Sequence, residues 1–372
     1  MHTVNADSKS RDRKQLVWPV IGIVLGALVA MIPSKTGITL QAGIAAWCID
    51  MGLVLILSAH PMGARIGALV AGLFMAVPCF VRASPLSRGL LMCSMAAPFL
   101  AAAALVLVPP IANFRARLAY LLTWCGTHQV KRRARSLDMA SLFQLSVATL
   151  VFAAAVAIAK AVSGSGLWLL VRWFAGGILF FAGAEMITAG LPLVAAAFGL
   201  TVPPLFQSPY RSTSVGEFWT KRWNIGASEK LFRPCCFAPL ARRGVALALF
   251  TAFALSGVAH ALLACMALGR WRISLICGAF FLVQPLLIAA ERRLAVRRWR
   301  PSAGRAWTLA ALALTSPLIV EPALQIVEKS WGAPDDVLLP TVAFLGSVIV
   351  ASSIISLVSL ASPATNARVA TT

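Results

Sequence analysis

Ten apolar runs, at residues 16–32, 39–59, 63–81, 89–112, 139–159, 167–198, 245–268, 273–290, 306–327 and 337–360, constrain this chain more than any other feature. In hydrocarbon every backbone N–H and C=O must be satisfied internally, so runs of this length fold as membrane-crossing helices. The alternating polarity of a membrane barrel is absent from the sequence. Only 12% of the 372 residues are charged and 59% are apolar, against about 25% charged in soluble domains. A soluble enzyme, a disordered chain and a disulfide-stapled secreted domain are excluded. The predicted fold is an all-α polytopic membrane protein of about ten transmembrane helices.

Lys and Arg number 33 against 12 Asp and Glu, a net charge of +21. In a soluble chain that balance suggests nucleic acid. Here the basic residues lie between the apolar runs, where they set orientation and meet anionic head groups, so membrane lipids rather than nucleic acid are the expected partners. Counted over alternate loops, 25 fall on one side and seven on the other, with Arg172 inside a run. The positive-inside rule then makes both termini and the 199–244 loop cytoplasmic. Residues 1–15 read as a cytoplasmic tail before an uncleaved anchor, and residues 16–372 as a single multi-span domain. Arg-over-Lys usage and abundant Ala point to a GC-rich genome, hence a bacterial inner membrane rather than endoplasmic reticulum. The eight cysteines include no CxxC pair, so neither a metal site nor a disulfide framework is expected.

Several runs carry irregularities. The run 167–198 is too long for one simple crossing and is expected to tilt or to end in an interfacial segment near Pro192. Pro78, Pro98, Pro285 and Pro317 fall inside runs, where neighbouring helices can satisfy the freed carbonyls. Asp50, Arg172, Glu185 and Glu321 put charge at membrane depth and are expected to pair across helices. Arg172 and Glu185 cannot pair with each other, being roughly 20 Å apart along one helix. These four sustain a rival reading, an ion-coupled transporter.

The most informative stretch is Pro203–Arg243, too apolar for a solvated loop and too charged to span. Phe218, Trp219 and Trp223 recur with Lys221 and Arg222, the pattern of a helix lying along the bilayer interface. Asn224 closes this cluster, and a buried amide needs hydrogen-bond partners. His260 follows inside an otherwise uncharged run. An ionisable side chain there is either a functional group or a neutral histidine bridging two helices. Ser256, four residues earlier on the same helical face, could form a nucleophilic dyad with it. The commoner alternative is a serine hydroxyl bonded back to its own helix.

The order of these motifs resembles the membrane-bound O-acyltransferases, specifically the wax-synthase branch. The resemblance is carried by Ser212, Thr213 and Ser214, by Phe218, Trp219, Arg222, Trp223 and Asn224, and by Ser256, Gly257 and His260. "FFLVQPLLIAAE", ending at Glu291, is similar to the span and acidic residue that follow in the family. Ala261 and Thr220 depart from the family pattern, in which Glu and Gly are usual, and leave the acceptor open. The resemblance implies an intramembrane reaction chamber, with residues 203–291 as the catalytic region. The implied activity is acyl-CoA:alcohol O-acyl transfer by an enzyme that needs no cofactor, acyl-CoA and a lipophilic alcohol being its substrates. A sterol, a terpenoid or another hydroxylated molecule is the alternative acceptor. It assigns general-base work to His260 and carbonyl positioning or oxyanion stabilisation to Asn224. Ser256, Gly257 and Glu291 would support them. Arg211, Ser212, Ser214, Phe218, Trp219, Lys221, Arg222 and Trp223 would meet the acyl-CoA, aided by the positive charge of Lys230 and Arg233.

Overall fold

A computed structural model describes residues 21–22, 24–26, 37–106, 131–132, 139–162, 166–197, 200–201 and 204–330. Nine long α-helices carry this part of the chain: α1 (Leu40–Leu57), α2 (Pro61–Phe74), α3 (Pro85–Leu105), α4 (Met139–Ala161), α5 (Leu167–Ala197), α6 (Val245–Leu268), α7 (Trp271–Arg293), α8 (Pro301–Thr315) and α9 (Pro317–Ser330). The local sequence explains their ends. Thr39 and Ser84 accept hydrogen bonds from Ala42 and Ser87 N–H groups at the starts of α1 and α3. Prolines open α2, α3 and α8, where no intrahelical donor is lost. Gly269, at φ 65°, ends α6 in the left-handed conformation that glycine adopts without strain.

Among the described residues, seven helical segments are long and apolar enough to cross a membrane, and α8 with α9 forms a bent pair that counts as an eighth. These coincide with eight of the ten apolar runs. The run 337–360 lies outside the described residues, and so does most of 16–32.

One run differs from expectation. The run 306–327 is not one straight crossing, because its helices meet at Ser316 with a bend of 55°. Pro317 has no N–H to donate and its ring clashes with the preceding turn, which breaks the helix there. The run 167–198 forms one helix of 31 residues to Ala197, and the part of it long and apolar enough to cross a membrane is Leu167–Gly190, which stops just before Pro192. The proline in α3 shows how such breaks are tolerated. Pro98 cannot bond the Ser94 carbonyl four residues back, and the Trp47 indole of α1 donates to it instead, at 2.9 Å.

Among the described residues four apolar clusters join the helices, the smallest being Leu40 with Val81, Leu91 and Met95. Val54 of α1, Ala64, Ala68 and Ala71 of α2, Phe99 and Ala102 of α3 and Met266 of α6 form one. Ala155 and Val156 of α4 meet Ala175 and Leu179 of α5 and Val320 and Leu324 of α9 in the second. The third seats Val215, from the motif segment, against Phe253 of α6, Phe280, Phe281 and Ile288 of α7 and Ala311 of α8. Large apolar side chains left outside these clusters, such as Leu150, Phe174 and Leu314, are exposed at 70%, 71% and 82%. On a membrane helix these are the positions that lipid tails cover. A short antiparallel pairing of Lys131–Arg132 with Leu200–Thr201 ties the chain before α4 to the chain after α5.

Candidate active site

The segment between α5 and α6 is a string of short helical turns, with π-helical geometry at Phe218–Arg222 and Ser228–Phe237, rather than one helix lying along a surface. Phe218, Trp219 and Trp223 pack inward, whereas Tyr210 is exposed. Phe218 is buried and stacks on Trp223, ring centroids 5.3 Å apart. Trp223 also meets Phe206 and Phe181 edge-on. Trp219 wedges between α6 and α7, edge-on to Phe253 and Phe280 at 5.6 and 6.0 Å. Ser214 and Asn224 each start a new turn, so the segment is a series of short helices rather than one continuous amphipathic helix.

Polar side chains hold this string in place. Ser214 accepts from the Glu217 N–H at 2.9 Å, and Glu217 accepts from the Thr213 N–H and hydroxyl at 2.8 and 2.7 Å. This is a variant of the capping box. Arg222 donates to Glu217 at 2.7 Å and to the Gln207 carbonyl at 3.1 Å, so its guanidinium is engaged within the segment itself. Burial pushes the Glu217 carboxyl up, but the Thr213 donors and Arg222 outweigh it and hold the group below its ordinary range. Glu291, at the end of α7, is buried and accepts from the Val215 and Gly216 N–H groups and from the Trp307 indole. A carboxylate there satisfies the first free donors of a helical turn. Gly304 of α8 lets the Thr213 carbonyl approach, since a Cβ at that glycine would sit 2.5 Å from it. The buried Ser212 hydroxyl donates to the Pro209 carbonyl at 2.7 Å. Arg211 and Lys221 are exposed, and Arg211 lies over the Tyr210 ring.

Asn224 adopts φ 43° and ψ 58°, and its side-chain oxygen accepts from the Ala227 N–H at 3.3 Å. It is half-buried and starts the turn that leads to Ser228–Phe237, the stretch packed against α6.

His260 is half-buried on α6. Its Nδ1 donates to the Ser256 carbonyl at 2.8 Å. A carbonyl only accepts, so the neutral ring carries its proton on Nδ1 and its lone pair on Nε2. The ring lies over Phe281, centroids 4.1 Å apart. Gly257 and Gly278 make this proximity possible, because a Cβ at Gly257 would fall 2.8 Å from the Gly278 carbonyl oxygen. Ser256 therefore serves His260 through its main chain. Contrary to the expectation that its hydroxyl bonds back along the helix, no hydrogen bond of that hydroxyl occurs among the described residues.

The structure brings Trp219, Phe281 and His260 into one aromatic chain, while Ser212, Ser214, Arg222 and Glu291 gather around the start of the motif segment. The sequence reading passed over Glu217, Phe281, Gln284 and Trp307. Glu217 stands three residues after Ser214, the spacing of a capping box, and Gln284 is the one amide in the α7 run; both signals were present.

Of the membrane-depth charges, Arg172 pairs with Glu321 at 3.2 Å and also with Glu328, while Trp173 and Gln325 donate to Glu321. Gln144 donates to Glu185 at 2.6 Å. Asp50 is 0% exposed, and neither carboxyl oxygen has a hydrogen-bond partner among the described residues. The pairing of Arg172 removes one support of the transporter reading.

Residues 202–283 match the model of the membrane bound O-acyl transferase family. A probable long-chain-alcohol O-fatty-acyltransferase 2 of Arabidopsis thaliana is 29% identical over 155 residues, 38% of this chain and 41% of the relative. The long-chain-alcohol O-fatty-acyltransferase of Simmondsia chinensis is 34% identical over 91 residues, 22% of this chain and 26% of the relative. An acyl-CoA–sterol O-acyltransferase 1 of Arabidopsis thaliana is 29% identical over 133 residues, 33% of this chain and 38% of the relative. The chain thus matches less than half the length of each of these relatives.

Proposed function

We propose that this protein esterifies a lipophilic alcohol with an acyl group from acyl-CoA, by direct transfer within the membrane; the match of residues 202–283 to the membrane bound O-acyl transferase family and the similarity to long-chain-alcohol O-fatty-acyltransferases support this reading. The observation that carries this reading is the contact of His260 Nδ1 with the Ser256 carbonyl, because a neutral ring donating there keeps its lone pair on Nε2. Nε2 takes the hydroxyl proton as the alcohol oxygen attacks the thioester carbonyl carbon. The carbon–sulfur bond then breaks, and the CoA sulfur leaves with the proton held on Nε2. The Asn224 amide is the donor offered to the developing oxyanion. A water-poor site protects the thioester from hydrolysis. The exposed Arg211, Lys221 and Arg233 are cations available to the CoA phosphates, whereas Arg222 is engaged with Glu217; the Lys230 side chain lies outside the described residues. The relatives act, by their names, on long-chain alcohols and on a sterol, so a fatty alcohol is the first acceptor to try and a sterol the second.

The test is ester formation by purified protein in nanodiscs, with acyl-CoAs of several lengths and a panel of alcohols and sterols, read by mass spectrometry. Ester is expected from wild type. His260→Ala should lower kcat by ~10²–10⁴ with the fold retained. Ser256→Ala should stay active and trap no acyl label. A folded His260→Ala protein with wild-type kcat overturns the reading.

A further inference from the structure

Gln284 lies on α7 and is 0% exposed, although its amide is polar at both ends. Its Oε1 accepts from the Trp219 indole at 3.0 Å. Its Nε2 donates to the Phe280 carbonyl at 3.0 Å and to the Thr315 hydroxyl at 3.5 Å. The orientation of the amide is dictated by these partners, because an indole can only donate and a backbone carbonyl can only accept. The glutamine therefore links three parts of the chain: the motif segment through Trp219, its own helix, and the end of α8 just before the bend at Ser316.

The indole it holds stands next to the histidine's support. Trp219 lies 5.8 Å from Phe281, and Phe281 lies 4.1 Å from His260. Phe281 and Gln284 are three residues apart on α7, so they are neighbours on one helical face. The rest of the Trp219 surroundings is aromatic, with Phe218, Phe253 and Phe280 against it. An indole N–H in such surroundings costs free energy when unpaired, and Gln284 is the partner it has. Without that anchor the indole has reason to turn, and Phe281 and the imidazole resting on it follow.

We propose that Gln284 is a positioning residue for the acyl-transfer base, holding the Trp219 indole against Phe281 and thereby setting where His260 presents Nε2. The proposal rests on the reading of His260 as general base. Gln284 itself touches no reacting atom. A displacement of about 1 Å at a reacting group can cost ~10² in rate, so the effect belongs in kcat and not in acyl-CoA binding.

The experiment uses full-length protein in nanodiscs and the ester assay. Gln284→Met keeps the side-chain length and removes the amide. It should lower kcat by ~10-fold to ~10²-fold and leave the acyl-CoA KM within about twofold of wild type. Trp219→Phe removes the indole N–H and should lower kcat in the same way. If Gln284 acts through Trp219, the double variant should be no slower than the slower single variant. A purely structural glutamine predicts losses that multiply, with KM and the thermal midpoint moving together. A wild-type kcat in Gln284→Met, or multiplying losses in the double variant, overturns the proposal. Should Gln284→Met fail to fold, Trp219→Phe decides: a wild-type kcat there overturns it equally. His260→Ala run alongside separates the two levels. If that variant turns over normally, the base assignment and this inference fall together. If it is inactive while Gln284→Met is normal, only the inference falls.

Discussion

Asn224 combines two demands that a single substitution can separate. Its backbone is left-handed, and its side chain caps the turn at Ala227. Glycine adopts that backbone without strain and costs only a few tenths of a kcal/mol as a cap, whereas alanine loses about 1 kcal/mol of capping and adds strain. Asn224→Gly is therefore expected to fold as wild type does. If its amide serves the oxyanion, kcat should nevertheless fall by up to ~10²–10³ in the ester assay. A fully active Asn224→Gly protein reduces Asn224 to a turn former. Asp50 makes the opposite case, a buried carboxyl with no partner among the described residues. Replacing such a group with an apolar one removes a desolvation penalty of about 1–3 kcal/mol. Asp50→Val should accordingly raise the thermal midpoint in detergent, and a lowered midpoint would show that the carboxyl has a stabilising role.

At the scale of elements, the motif segment is held by carboxylates at its first turn. Glu217 has its pKa held below the ordinary carboxylate value. Its contribution to stability is complete above the unfolded value of about 4.3 and is lost as pH falls through the lower folded value. Thermal midpoints measured between pH 6 and pH 3 should fall at the acid end in wild type and fall less in Glu217→Gln. Equal slopes would show that this carboxylate carries no acid sensitivity. The α6–α7 crossing is governed by space instead. A methyl at Gly257 meets the Gly278 carbonyl at 2.8 Å, and overpacking of this kind costs about 1–3 kcal/mol. Gly257→Ala should lower both thermal stability and kcat, because the same crossing presents His260 to Phe281.

For the whole molecule, the asymmetry of basic residues predicts that the 199–244 loop faces the cytoplasm. Single cysteines replacing Ser228 and Ala303 in a cysteine-free background should be labelled from the cytoplasmic side only. One replacing Arg270, in the turn between α6 and α7, should be labelled from the opposite side only. Labelling of Ser228 and Arg270 positions from one side would require one crossing fewer between them.

The presence of membrane helices was legible because each apolar run follows directly from the need to satisfy backbone polar groups in lipid. The His260 region was legible for a related reason, since an imidazole inside an uncharged run stands out in one dimension. What the sequence alone left undetermined depends on contacts between distant segments. Glu291 reaches the Val215 N–H across 76 residues, Arg172 reaches Glu321 across 149, and Trp219 reaches Gln284 across 65. No local spacing records such pairs. The inward turn of the motif aromatics and the bend at Ser316 were likewise settled by packing, where free volume and one missing N–H outweigh amphipathic pattern. Sequence determined which segments are long and apolar enough to cross a membrane and where the ionisable side chains lie along them; tertiary structure decided which of those side chains are paired and with what, because hydrogen-bond partners in a packed interior are assigned in three dimensions.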